Sequence, residues 1–195
     1  MKRICYNKRK RVMKVKRCAW AYNEDLIKYH DEVWGIPQHN EKMLYKMLIL
    51  EGLQAGLSWD IILKKEKAYE EALDGFDYQK IACYDENEYQ RLMETPILIK
   101  NKLKMKAIIH NAQVFMAVQK EYGSFDKYIW SYVNYEQIKH HYHHSKDVPA
   151  FDDLSTQISN DLKKKGFKFV GPTIIYSYLQ AIGIYNDHEV DCDFY

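Results

Sequence analysis

Two short stretches at opposite ends of the 195-residue chain carry soft metal ligands. Near the start, "RCAWAYNEDLIKYHD" offers Cys18 and His30 with 11 residues between them; near the end, "NDHEVDC" offers His188 and Cys192 with three between them. Two thiolates and two imidazoles complete a tetrahedral zinc shell with no position left for water, which is the arrangement of a structural ion. Neither pair holds zinc alone, and 157 residues separate the halves. Spacing by itself therefore leaves two readings, a clasp joining the chain ends or four unrelated side chains. A zinc hydrolase built on His30 or His188 is a third reading, and it needs an open coordination position that this donor set does not leave.

A second group is aromatic. Trp20, Tyr29, Trp34 and Trp59 accompany one carboxylate, Glu51, which follows the apolar run "MLYKMLIL" and precedes "GLQAGLSW". Aromatic residues at helical spacing also build ordinary cores. A carboxylate there is expensive to bury without a partner. It either caps or salt-bridges at a helix end, or it sits among indoles as a cation-binding or acid–base group.

The third group is "KKKGFKFVGPT". Glycines let a backbone approach a ligand closely, and the N-terminus of a following helix presents unpaired N–H groups and a positive dipole to phosphate. Lys165 and Lys168 add charge. A plain turn between two helices has the same composition.

The elements that must hold these groups are helices. Met43, Leu44, Met47 and Leu48 mark an apolar face before Gly52; Ile62, Leu63, Ala68, Ala72 and Leu73 mark another after Trp59. Pro96 breaks the chain. The longest helix is expected from Leu103 to about Val118, stopped by Gly123. Leu154, Ile158 and Leu162 then lead through a basic last turn to Gly166 at a C′ position, and Pro172 opens a final helix ending before Gly183. Polar/apolar alternation is sustained nowhere, so the chain reads as all-α. Residues 135–148, with His140, His141, His143 and His144, read as a solvated polar connection.

Composition sets limits. With 47% hydrophobic residues the chain has material for a globular core. There is no run of about 18 apolar residues to span a bilayer and no signal-peptide h-region, which points to the cytoplasm and away from membranes. Four scattered cysteines do not make a disulfide framework. Residues 1–17 hold nine of the 29 basic side chains and none of the 27 acidic ones, so the remainder carries a net −7. Residues 1–16 read either as a nucleic-acid arm or as a disordered basic leader upstream of a start at Met13, and the leader is the expectation. If such a body binds nucleic acid, a net of −7 requires a local positive patch and backbone amides rather than a global field.

Together, "RCAWAYNEDLIKYHDEVWG", "LEGLQAGLSW", "LKKKGFKFVGPTIIYSYLQAIG" and "NDHEVDC", in this order, resemble the DNA-3-methyladenine glycosylase I family, bacterial base-excision-repair enzymes of the helix-hairpin-helix superfamily. The resemblance covers roughly residues 17 to 192. It implies one two-lobed, all-α glycosylase domain over 17–195, with the helix-hairpin-helix at about 155–183. It also implies one structural Zn2+ held by Cys18, His30, His188 and Cys192. Glu51 and Tyr29 are then the catalytic pair, and Trp34, Trp59 and Trp20 the base-binding aromatics. Gly166, Lys168, Gly171 and Thr173 would touch DNA, and Gln54 and Leu57 in the loop "QAGLS" would fill the gap left by a flipped base. The implied activity is that of a monomeric, monofunctional glycosylase in the bacterial cytoplasm, associated with the nucleoid. It would release 3-methyladenine from double-stranded alkylated DNA and leave an abasic site. No lysine follows Gly171, where lyase-competent relatives carry their amine, and Asp187 and Asp191 read as structural. A non-catalytic reader of alkylated DNA would carry the same motifs. The sequence departs from the family pattern at Leu26, near where a second pocket tyrosine stands, and at Val33, which replaces a glutamate.

Overall fold

A computed structural model describes residues 15–195, so all of the basic leader except Val15 and Lys16 lies outside the described residues. In chain order the α-helices are α1 (Glu24–Glu32), α2 (Glu41–Gln54), α3 (Trp59–Ala72), α4 (Tyr78–Ile81), α5 (Glu86–Glu94), α6 (Lys102–Tyr122), α7 (Phe125–Trp130), α8 (Asp153–Lys165) and α9 (Pro172–Ala181).

Short polar side chains start most of them. Asn23, Asn40, Asp77, Asp85, Asn101, Ser124 and Asp152 each accept a hydrogen bond from a backbone N–H of the first turn they precede. Each thereby satisfies donors the helix leaves unpaired. α5 stops two residues before Pro96, and Gly123 and Gly166 close α6 and α8 in the left-handed conformation at φ 85° and 105°.

The expected single apolar face on α2 is replaced by burial on every side. All ten residues from Leu44 to Leu53 are buried, because α2 runs through the middle of the core and packs against α3, α6, α7 and α9. A helix wrapped on all sides has no stripe to read. The one lysine in that buried stretch, Lys46, is neutralised by Glu66 at 2.8 Å and Glu70 at 3.2 Å.

The polar connection over 135–148 differs from the solvated loop expected of it. Ile138–Lys139 (β1) pairs in parallel with Tyr185–Asn186 (β2), and a bridge joins Tyr142 to Glu189. Strands of two residues show no alternation, so the sequence carries no sign of them. The pairing ties the segment around His188 to the body of the fold. His140 is drawn half into the interior, where its Nδ1 lies 2.6 Å from Asp187, while His141, His143 and His144 stay exposed. Lys16 is also joined to this end: its N–H donates to the Asp193 carboxylate at 2.8 Å and its carbonyl accepts from the Asp193 N–H at 2.9 Å.

Candidate active site and metal cluster

α1 ends with Tyr29 and His30 facing different surroundings, and Trp34 follows one turn later. α2 contributes Glu51, α3 begins with Trp59, and the segment before α1 supplies Trp20. Together they line a cavity of roughly 360 Å³. Trp20 meets Trp34 edge to face with centroids 4.9 Å apart, and Tyr29 leans on Trp59 at 5.1 Å. All five residues that the sequence reading placed around a base are therefore walls of one space.

Two polar atoms of its lining residues are left without partners. Glu51 is 2% exposed, and its Oε2 has no hydrogen-bond partner within the protein; neither has Nε1 of Trp59. Burial pushes the Glu51 carboxyl up to about 8. Burial, with Glu51 next, also holds the Tyr29 hydroxyl well above the ordinary tyrosine range. A buried acceptor and donor left unpaired inside a cavity are groups prepared for a ligand that satisfies both.

Other walls were not legible beforehand. Gln180 and Asp187 line the cavity. The Asp187 carboxylate accepts from Tyr176 at 2.8 Å and from the Gln180 amide at 2.7 Å in addition to its His140 contact. Leu26, which the resemblance had set near a pocket position, lines the cavity as well, as does the largely exposed Tyr22. Asp191 is exposed and pairs with Lys16 at 2.7 Å.

Behind Trp34 lies a buried group of possible ligands. One ligand atom each from Cys18, His30 and Cys192 lie within 4.8 Å of one another, and Cys192 Sγ is 3.5 Å from His30 Nε2. His188 stands beside them, its ring centroid 4.7 Å from that of His30. Each imidazole is oriented through Nδ1: His30 toward Asp31 at 2.8 Å, itself gripped by Arg17, and His188 toward Asn186 at 2.9 Å. Such contacts turn the Nε2 lone pair inward. The Nε2 of His188 is buried with no partner. Burial raises the Cys18 thiol to about 12 and lowers His188 to about 4, so without a cation these two groups are neutral. A divalent ion is what makes thiolates favourable there. Gly35 admits the arrangement, since a Cβ on it would lie 2.8 Å from Cε1 of His188. Asp31 and Asn186 were missed by the reading of ligand types alone, although both stand within two residues of a ligand.

The hairpin between α8 and α9 presents Lys168 and Thr173 outward, with Gly166 and Gly171 at its ends. Its interior is held by the Ser159 hydroxyl, which donates to the Val170 carbonyl at 2.6 Å. In the loop after α2, Gln54 lines the cavity and Leu57 is 37% exposed.

The sequence model of a family described as methyladenine glycosylase matches residues 19–195. The chain is 39% identical over 179 residues to DNA-3-methyladenine glycosylase 1 of Escherichia coli, spanning 91% of this chain and 96% of that protein. It is 38% identical over 177 residues to the DNA-3-methyladenine glycosylase of Haemophilus influenzae, spanning 90% and 96%. Among solved structures, 3-methyladenine DNA glycosylase I from Staphylococcus aureus superposes with a TM-score of 0.88 at 42% identity, covering 91% of this chain and 95% of that one. A variant of 3-methyladenine DNA glycosylase I in complex with 3-methyladenine matches equally well, at TM-score 0.88 and 42% identity.

Proposed function

Since the chain belongs to the methyladenine glycosylase family, we propose that it hydrolyses the N-glycosidic bond of 3-methyladenine in alkylated duplex DNA, acting as a monomer on a base flipped into the aromatic cavity. The observation that carries this reading is the unpaired, buried carboxylate of Glu51 facing a space walled by indoles.

Methylation at N3 gives the nucleobase a positive charge. The charge weakens its bond to deoxyribose and makes it a good leaving group, so strong acid catalysis is not required. The protein's work is extraction and recognition. Flipping opposes a few kcal/mol of stacking and pairing, least for a damaged base. Electron-rich ring faces favour a cationic purine, with Trp59 and Trp34 against the base and Tyr29 and Trp20 completing the wall. Glu51 supplies the discrimination: a cationic base offsets the penalty of ionising a carboxyl held near 8, and a neutral base does not. Water then adds at C1′. None of the described residues lining the cavity is a lysine, which agrees with a monofunctional enzyme that leaves an abasic site and does not cut the strand.

Cys18, His30, His188 and Cys192 fit a structural zinc by donor type, by inward-turned nitrogens and by the partnerless Nε2 of His188. A closed shell supplies cross-linking of the chain ends and no chemistry at C1′. The domain on this reading spans 17–195, its two lobes meeting at the cavity, with Lys168, Thr173 and the amides of Gly166 and Gly171 holding phosphates. Gln54 and Leu57 would enter the gap. Among the described residues no helix is long and apolar enough to cross a membrane.

The test is release of free base from methylated DNA, followed for 3-methyladenine and 7-methylguanine side by side. Excision of 3-methyladenine above the spontaneous rate is expected. Tight lesion binding with no release would instead identify a non-catalytic reader.

A further inference from the structure

The two elements assigned to DNA are joined by one helix that the function above leaves out. Lys104, near the start of α6, is 6% exposed. Its ammonium donates to the carbonyl of Leu53 at 2.8 Å and of Ala55 at 2.6 Å. These carbonyls lie where α2 ends and the loop carrying Leu57 begins, an end with no glycine cap and no basic residue in its last turn. Two turns further along α6, the buried Asn111 grips the hairpin from both sides of one residue: its amide donates to the Lys168 carbonyl at 3.0 Å and its oxygen accepts from the Lys168 N–H at 2.9 Å. His110 meets the Gly166 carbonyl at 2.9 Å.

Residues seven apart share a helix face about 10 Å apart, so α6 holds the loop and the hairpin in fixed register. A third contact closes the frame. Phe169, at φ 57°, lies against Gly52 of α2, where an added Cβ would sit 3.3 Å from Phe169 Cβ and 3.4 Å from its carbonyl oxygen. The Lys104 ammonium has no carboxylate among its hydrogen-bond partners, and burial pulls its pKa down. Its donors go to two carbonyls at the end of α2 that an apolar residue would leave without this partner, so Lys104 fixes where the loop departs from the helix.

We propose that α6 is a spacer which sets the distance between the phosphate-holding hairpin and the gap-filling loop, with Lys104 and Asn111 as positioning residues for DNA engagement. The proposal rests on the assignment of those two elements to DNA. It separates two abilities: capturing a free base needs only the cavity, whereas gripping a duplex needs hairpin and loop at the right separation.

The test compares Lys104→Met, Asn111→Leu and Gly52→Ala with the wild-type chain, using free 3-methyladenine and a duplex containing a tetrahydrofuran abasic-site analogue as probes. Lys104→Met is expected to weaken duplex binding by about tenfold or more, the scale of one lost charge-assisted hydrogen bond, and Asn111→Leu and Gly52→Ala, which disturb the hairpin through neutral hydrogen bonds and a tight contact, by about threefold or more, while free-base binding stays within about twofold in all three. Lys104→Arg, which keeps the donors, is expected to recover most of the duplex affinity. Gly52→Ala guards against misfolding, since it adds one methyl and removes a helix-weakening glycine. Unchanged duplex affinity in folded variants, or equal loss on both probes, overturns the proposal. A wild-type chain that binds neither probe overturns the proposed function, and this inference with it.

Discussion

Tyr29 and His30 are consecutive on α1, yet they serve two different sites. The Tyr29 ring lines the cavity 5.1 Å from Trp59, while His30 Nε2 lies 3.5 Å from Cys192 Sγ, across 162 residues of sequence. Adjacent helical residues point about 100° apart, so one short helix is shared between a binding wall and a joint between chain ends. Trp34 repeats the relationship, its ring 4.9 Å from Trp20 and 4.7 Å from His188.

The sharing predicts that damage to the cluster reaches the cavity. Cys192→Ala should lose bound zinc, lower the melting temperature by several degrees or more and weaken 3-methyladenine binding. His188→Ala should do the same, although His188 stands outside the three-atom group. Zinc content by elemental analysis, read beside thermal melts, checks both; undiminished zinc and stability in either variant would remove that residue from the ligand set.

Glu51 predicts a pH dependence whose sign is fixed by its environment. In the folded chain the carboxyl keeps its proton up to about 8, whereas its ordinary value is 4.5. Between those values the folded state binds the extra proton, so this group's contribution to stability falls as pH rises through the window. Glu51→Gln should flatten that slope and be more stable than the native chain above about pH 8, by up to a few kcal/mol. Urea unfolding followed at several pH values measures it. Parallel slopes in the two proteins would show that Glu51 ionises normally. The same variant should lose affinity for the cationic base and keep its affinity for undamaged duplex.

Lys168 predicts a salt effect. If it meets one phosphate, Lys168→Ala should reduce the slope of log affinity against log salt by about one, equally for damaged and undamaged duplexes. A loss confined to damaged DNA would place Lys168 in lesion recognition instead.

Gly183 predicts a severe fold defect away from any ligand. A Cβ there would lie 2.2 Å from the Ile36 carbonyl carbon, on a residue at φ 69°. Backbone cannot step aside as a side chain can, so Gly183→Ala should cost several kcal/mol and displace the strip after Trp34. A melting temperature within a degree or so of wild type would contradict this packing.

Much of the frame was readable along the chain. The stops at Gly123 and Gly166 and Pro172 at the head of α9 are local signals, because a stop or a start depends on the few residues beside it. The α2 pattern misled because its whole circumference is buried, and the β1–β2 pairing left no trace because two-residue strands are made by partners 47 positions apart.

By itself the sequence determined the inventory: two cysteines and two histidines of the right donor type, a carboxylate in an apolar run, aromatics nearby and a glycine-bounded basic hairpin. Those are properties of residue type and short spacing. Only the tertiary structure decided that Glu51 Oε2 and Trp59 Nε1 are buried without partners, that Asn186 and Asp31 orient the two imidazoles, and that α6 ties the loop at Ala55 to the hairpin at Lys168. Each of these depends on which groups from distant segments fill the remaining directions around an atom, and one-dimensional order does not carry that information.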